Sequence, residues 1–330
     1  MPALSPYEHC RLCGRKCGAR RTLGEKGFCG CDSRLKIAWA GIHYGEEPAI
    51  CGEGGSGAVF LSGCTLKCFF CQNYQISGFP NSGEGLGRSV EIPEFADICL
   101  MLQQKGAENI NIVTGTHFIP SLAEGIKESK KRGLRLPVVW NSSGYEQTDI
   151  LPLLNDFVDI YLPDLKTLDS ALSSSLFGVS DYPQTAAAAI REMAASRPLR
   201  RKENPRGEAL VSGVIVRHLV LPGLKENTRA VLAWFAENLA GKALFSLMFQ
   251  YNPPANGERR ADIPAGEWAR KITPREYEEA LAMLEEFGIE DGFVQDLPDG
   301  ADPLPDFSRK DAFPRDLAHP LWFCGGADPG

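Results

Sequence analysis

The chain has 330 residues, of which 43% are hydrophobic and 23% charged, enough for one large barrel or two ordinary domains with a sizeable core. Its formal net charge of −7 argues against non-specific nucleic-acid binding, which needs a basic surface. No apolar run is long enough for a bilayer span and Met1–Cys13 carries no apolar leader core, so the expectation is a soluble, cytoplasmic protein with neither membrane nor nucleic acid as partner.

Eleven cysteines are distributed unevenly, five within Cys10–Cys31 and three within Cys64–Cys71. In a chain read as cytoplasmic, such clusters point to metal sites rather than a disulfide framework. Cys51, Cys99 and Cys324 stand apart and read as small buried hydrophobes.

Residues 1–53 form a Cys-rich segment too poor in apolar residues to build its own core. Cys10, Cys13, Cys17 and Cys29 offer four thiolates at metal-site spacing, with Cys31 in reserve. Zinc would staple the segment, and a second iron–sulfur cluster would relay electrons; the irregular loop and the lack of a ferredoxin spacing incline the choice toward zinc. A strand is expected over Leu35–Ile42. After it, Glu46 and Glu47 could touch a substrate or line the approach to a site, but a solvated turn is the simpler reading.

From Gly57 a strand–helix rhythm sets in. Strands are expected at Ala58–Ser62, Asn109–Thr114, Pro137–Asn141, Val158–Leu162, Gly213–Leu221 and Ala243–Gln250. Helices are expected at Pro93–Lys105, Pro120–Arg132, Tyr182–Ala195 and Glu226–Leu239. Thr273-Pro274-Arg275-Glu276 reads as a capping box opening a last helix that Gly288 ends, and a strand over Gly292–Asp296 follows. This alternation implies a parallel sheet. Six principal units are too few for a full eight-unit barrel, and the pattern leaves open a partial barrel or a doubly wound sheet. Residues 298–330 are rich in Pro and Asp and read as an extended tail along the surface. The basic run of Arg197, Arg200, Arg201, Lys202 and Arg206 reads as a solvated loop, with a partner-docking surface as the alternative.

The sharpest motif is Gly63-Cys64-Thr65-Leu66-Lys67-Cys68-Phe69-Phe70-Cys71, placed directly after the first core strand. In α/β folds, sites form at the carboxyl ends of strands. Three thiolates on one short loop can hold a four-iron cluster and leave one iron open; a structural zinc would need a fourth ligand, Cys51 or a histidine.

Cys-x3-Cys-x2-Cys with an aromatic residue, Phe70, before its last cysteine is the signature of the radical S-adenosylmethionine (SAM) superfamily. The stretch from Gly57 to Ser77 resembles more closely the pyruvate formate-lyase activating enzyme-like group, and the likeness extends from Cys10 to about Leu297. The resemblance implies a partial (β/α)6 TIM-type barrel over 54–297. It implies a [4Fe-4S] cluster on Cys64, Cys68 and Cys71, with the open iron binding S-adenosyl-L-methionine. It implies reductive cleavage of that cofactor to a 5′-deoxyadenosyl radical that abstracts hydrogen from a substrate.

Carried over position by position, the resemblance assigns further cofactor contacts. Where the family shows Gly-Gly-Glu, this chain has Thr114-Gly115-Thr116-His117, so backbone groups or a hydroxyl of Thr114, Gly115 and Thr116 replace the acid. Asn141 and Ser143 suit the ribose or methionine part. Asp164 and Lys166 share a strand face and match an Asp-x-Lys of the activases, with a surface ion pair as the bland alternative. Arg217 inside an apolar strand suits the methionine carboxylate, and its neighbour His218 then faces the other way in a structural role. His117 reads equally as an ordinary loop residue or a functional one. Gln250-Tyr251-Asn252-Pro253 is a weaker candidate for adenine or substrate.

The resemblance also implies partners: a glycyl radical enzyme-like protein as substrate, and flavodoxin or ferredoxin as electron donor. A small-molecule substrate or another protein modification is the second reading. A non-catalytic zinc-binding interaction protein is the third.

Overall fold

The computed structural model describes residues 6–78, 85–204, 207–254, 267–297 and 304–325. Its strands are β1 (Lys36–His43), β2 (Ser56–Leu61), β3 (Arg88–Ser89), β4 (Ile110–Val113), β5 (Val138–Ser142), β6 (Ile160–Pro163), β7 (Arg200–Asn204), β8 (Gly207–Leu219), β9 (Leu244–Met248), β10 (Gly292–Val294) and β11 (Ala318–Phe323). They form one sheet in the order β10-β9-β8-β6-β5-β4-β2-β1-β11, with β3 on β1 and β7 on β8. From β2 through β10 every neighbouring pair in this order is parallel, whereas β1 is antiparallel to both β2 and β11. The fold is a partial α/β barrel whose six main parallel strands are the six read from the sequence.

Parallel neighbours need crossovers, and helices supply most of them. Ile92–Gln104, Ile119–Lys131, Tyr182–Ser196 and Pro274–Glu286 each carry proline in the first turn, where its missing N–H costs nothing. In the last of these Thr273 Oγ1 accepts from Glu276 N, and the Glu276 carboxylate accepts from Thr273 N at 2.9 Å. Thr273→Ala is therefore expected to cost about 1 kcal/mol, read as a lower urea midpoint.

Alternation along each strand separates two environments. Val59, Ile112, Trp140, Tyr161, Val216 and Phe245 face the helices, in one core with Phe95, Leu122, Ile190 and Phe235. The opposite face lines the barrel. One inner apolar cluster contains Ala58, Phe60 and Val113; the other contains Val139, Ile160, Leu162, Ile215 and Leu244. The inward positions Asn111, Asn141, Asp164, Arg217 and Ser246 lie on the same face of their strands and are polar.

Two segments outside the rhythm complete the barrel. The strand before residue 54, β1, belongs to the main sheet, and Ile50 of the short helix Pro48–Cys51 packs into the second inner cluster. The tail after residue 303 does more than run along the surface. Phe307, Ala312 and Ala318 are buried with Trp39 and Phe60, Phe313 packs against them, and β11 extends the sheet. Its Pro- and Asp-rich composition masked these few apolar anchors.

No helix among the described residues is long and apolar enough to cross a membrane. Within the basic run, Arg197 Nε donates to Val158 O at 2.8 Å and Arg201 pairs with Asp291 at 2.5 Å; Arg206 lies outside the described residues.

Candidate functional site

The cysteine loop leaves β2 through Gly63, whose φ of 86° is left-handed, and turns again at Lys67, φ 56°. Cys68 is buried, Cys64 and Cys71 partly so. Burial pushes the Cys68 thiol up and that of Cys71 up to about 11, so a metal held here would itself have to draw off these protons. Leu66 N lies 3.4 Å from Cys64 Sγ and donates to it. Phe70 is buried edge-on against Phe69 and Phe177 and tilted on Tyr251, which locks the loop to the barrel rim. Gln72 Nε2 donates to Gln250 O at 2.8 Å, so the end of β9 also reaches this loop.

Asp164, Lys166 and Arg217 meet inside the barrel mouth. Arg217 Nε donates to Asp164 Oδ1 at 2.9 Å, Arg217 Nη2 to Asn141 Oδ1 at 2.5 Å, and Lys166 Nζ to Asp164 Oδ2 at 2.7 Å. The Asp164 and Lys166 side chains are only 16% and 15% exposed, which rules out a surface ion pair. Burial alone would raise the Asp164 carboxyl, but the charges of Arg217 and Lys166 outweigh it and hold it below the usual range. The Lys166 charge is felt at both Cys68 and Cys71.

The other expected contacts divide. Thr114 has φ 64°, and its N–H donates to Asn141 O at 2.8 Å. A Cβ on Gly115 would meet the Trp140 ring at 2.6 Å, so its small size serves packing. Thr116 Oγ1 donates to Glu146 Oε1 at 2.7 Å, so this hydroxyl is already engaged. Ser143 contributes its carbonyl, 3.0 Å from the Tyr182 hydroxyl, which also lies 2.8 Å from Asp164 O and accepts from Lys166 N at 3.0 Å. Tyr182 thus fastens the ends of β5 and β6, a role that its place in an apolar helix did not announce. His218 is buried between Leu165 O at 2.8 Å and Thr228 Oγ1 at 3.1 Å, on the face opposite Arg217, and burial lowers it to about 4.

The solvated-turn reading of Glu46 and Glu47 is overturned. Both carboxylates are buried, and burial raises both against the counteracting charge of Arg217. The helix Pro48–Cys51 packs against β8 and carries the acids in with it. Two acids side by side in a polar hexapeptide gave no sign of this. Because the ionised forms are disfavoured, their cost to stability appears as pH rises through the raised values. Glu47→Gln is therefore expected to stabilise the ligand-free protein by about 1 kcal/mol at pH 8, and less in acid, read from urea midpoints at both pH values.

The N-terminal cysteines pack against the same rim. Cys13 feels the charges of Cys29, Cys10 and Cys17. A Cβ on Gly27 would fall 2.9 Å from Cys17 Sγ and 3.6 Å from Cys29 Sγ, so this glycine leaves room for two sulfurs. The Cys31 thiol beside it holds the Cys29 thiol below its ordinary value. Buried Arg21, unremarked in the sequence, lies 3.8 Å from Cys10 Sγ and donates to Cys31 O at 3.1 Å and to His117 O. His117 is buried, with Nε2 2.7 Å from Ser62 O and Nδ1 without a partner. Arg15, between Cys13 and Cys17, donates to Thr65 O at 3.0 Å and Leu66 O at 3.2 Å inside the cysteine loop. Among the described residues no three His, Cys, Asp or Glu side chains converge on a single metal ion.

Residues 59–199 match the family model described as Radical SAM superfamily. That stretch is similar to the radical SAM superfamily. The match takes in the cysteine loop, Asp164 and Lys166. MJ0674 of Methanocaldococcus jannaschii, an uncharacterized protein, is 29% identical over 290 residues, 86% of this chain and 76% of its own. SuiB of Streptococcus suis, solved with its precursor peptide SuiA, superposes at TM-score 0.45 and 13% identity over 71% of this chain; the match spans only 46% of SuiB. A domain of a pyruvate-formate lyase-activating enzyme from Bacteroides vulgatus superposes at TM-score 0.37 and 11% identity, covering 54% of this chain and 91% of that domain. The radical SAM family implies a [4Fe-4S] cluster and S-adenosylmethionine, and the donor set fits: three thiols on one loop, beside a lysine that favours an anionic cluster.

Proposed function

We propose that this radical SAM enzyme is a cytoplasmic activase that takes a hydrogen atom from a glycyl residue of a partner protein. Cys64, Cys68 and Cys71 hold the cluster, and Asn141, Asp164, Lys166 and Arg217 receive the amino-acid part of S-adenosylmethionine. The observation that carries this reading is the nearness of the three-thiol loop to Lys166, itself bound to Asp164 and, through it, to Arg217. A zwitterionic group placed there finds a carboxylate and two cations already oriented by one another. The cofactor pair, when bound and supplied with an electron by flavodoxin or ferredoxin, provides the 5′-deoxyadenosyl radical. This chain's residues hold the reactants and exclude water. Phe70, Phe177 and Tyr251 form an apolar wall beside the loop.

We further propose that Cys10, Cys13, Cys17 and Cys29 hold a second metal, zinc or an iron–sulfur cluster, with the space beside Gly27 as support. A metal and sulfide count on a Cys64/Cys68/Cys71→Ala triple variant distinguishes these two and would show neither if the site is only a thiol cluster.

The substrate proposal is tested with the reconstituted, reduced enzyme and peptides containing α-deuterated glycine. The expected result is deuterium in the 5′-deoxyadenosine. Product formed with a small molecule but never with a protein or peptide would replace the activase reading by the small-molecule one.

A further inference from the structure

Inside the barrel the charges do not balance. Asp164 is matched by Arg217 and Lys166, whereas the charge facing Glu46 and Glu47 is the remaining side of Arg217, with Asn111 beside Glu46 and Ser246 beside Glu47. Arg217 Nη1 is 3.8 Å from Glu46 Oε2, and Glu47 Oε2 is buried with no hydrogen-bond partner. His43, 3.8 Å from Glu46, does not help, because burial lowers it to about 4 and leaves it neutral. Asn111, fully buried on an inward position of β4, lies beside the Glu46 carboxylate and eases its burial. Two carboxylates thus lie side by side in the interior against one shared guanidinium, and one of their oxygens accepts no hydrogen bond. Burying carboxylates with so little compensation is unfavourable unless something cationic joins them.

We propose that Glu46 and Glu47, with Asn111, form a seat for an organic ammonium group within the barrel. The seat lies across Arg217 from Asp164 and Lys166, so one ligand can meet both polar groups at once. The ammonium has two sources, the methionyl amine of S-adenosylmethionine or an amine of the substrate. The inference rests on the barrel interior being the ligand site of the proposed function. It accounts for what the sequence lacks at Thr114-Gly115-Thr116-His117, and for why two acids are carried inside on a short helix.

The test uses the reconstituted holoenzyme and its Glu46→Gln and Glu47→Gln variants, which keep side-chain volume. Each is checked for iron content and circular dichroism. In one arm S-adenosylmethionine is titrated calorimetrically; a loss of affinity of about tenfold or more in either variant assigns the seat to the methionyl amine. In the other arm n-butylammonium is titrated into enzyme saturated with S-adenosylmethionine, with n-pentanol as the neutral match. A thermal midpoint raised by butylammonium but not pentanol, in wild type and not in the variants, assigns the seat to a substrate amine. If both variants bind S-adenosylmethionine within about twofold of wild type and butylammonium acts no differently from pentanol, the seat does not exist. Failure of the wild type to bind S-adenosylmethionine at all counts against the proposed function, and the seat is then judged by the same butylammonium and pentanol comparison on enzyme without S-adenosylmethionine.

Discussion

Asp164→Asn lowers the stability of the domain by about 3 kcal/mol, with the urea midpoint falling and the slope unchanged. The expectation follows from what the carboxylate does: it accepts from Arg217 at 2.9 Å and from Lys166 at 2.7 Å in a nearly closed interior. The amide keeps the shape but leaves two buried cations with Glu46 and Glu47 as distant partners. The dependence on pH has a definite sign. Asp164 is held below its usual range, so its stabilisation is fully present above the unfolded carboxyl value of about 4 and is lost as pH falls through the lower folded value. Wild type and variant therefore differ most above about pH 4 and converge in stronger acid. Equal midpoints at neutral pH would mean that the ion network contributes nothing net.

Cys68→Ala, and likewise Cys64→Ala and Cys71→Ala, abolishes S-adenosylmethionine cleavage while the barrel stays folded. The cysteine loop is fastened by groups other than its own thiols. Arg15 binds Thr65 O and Leu66 O, and Phe70 is packed among Phe69, Phe177 and Tyr251. Removing one thiol from three leaves a four-iron cluster with too few protein ligands, so iron content after anaerobic reconstitution drops by about four per chain. Any metal at Cys10, Cys13, Cys17 and Cys29 remains. A variant that keeps its full iron complement and cleavage rate would show that the loop is not the ligand set.

The regular part of the molecule was legible because its signals are local. The six parallel strands and the crossover helices follow from apolar runs, helical spacing and proline at helix starts, and Thr273 and Glu276 form the capping box that their spacing announced. Arg217 was legible for a different reason: a guanidinium in an apolar strand must find a partner, and it finds Asp164 and Asn141. Residues whose role depends on where a loop returns were not legible. Glu46 and Glu47 look solvated until Pro48–Cys51 is seen packing into the barrel. Phe307 and Phe313 are hidden by a tail of prolines and aspartates, yet they close an aromatic cluster over Phe60. Arg21 and Tyr182 act through backbone carbonyls far away in sequence, and no local pattern encodes such contacts. At Thr116 and Gly115, which the resemblance assigns to the cofactor, the Thr116 hydroxyl is bound to Glu146 and the small size of Gly115 makes room for Trp140, contacts that no local pattern encodes either.

The central claim is that Cys64, Cys68 and Cys71 hold a cluster with one open iron that binds S-adenosylmethionine. The most direct measurement is the electron paramagnetic resonance spectrum of the reduced, reconstituted protein with and without S-adenosylmethionine, recorded on a Cys13/Cys17→Ala background so that only this loop contributes. The account predicts a reduced-cluster signal that changes shape when S-adenosylmethionine is added and is absent after Cys64→Ala. A signal indifferent to S-adenosylmethionine, or one that survives loss of Cys64, would contradict it.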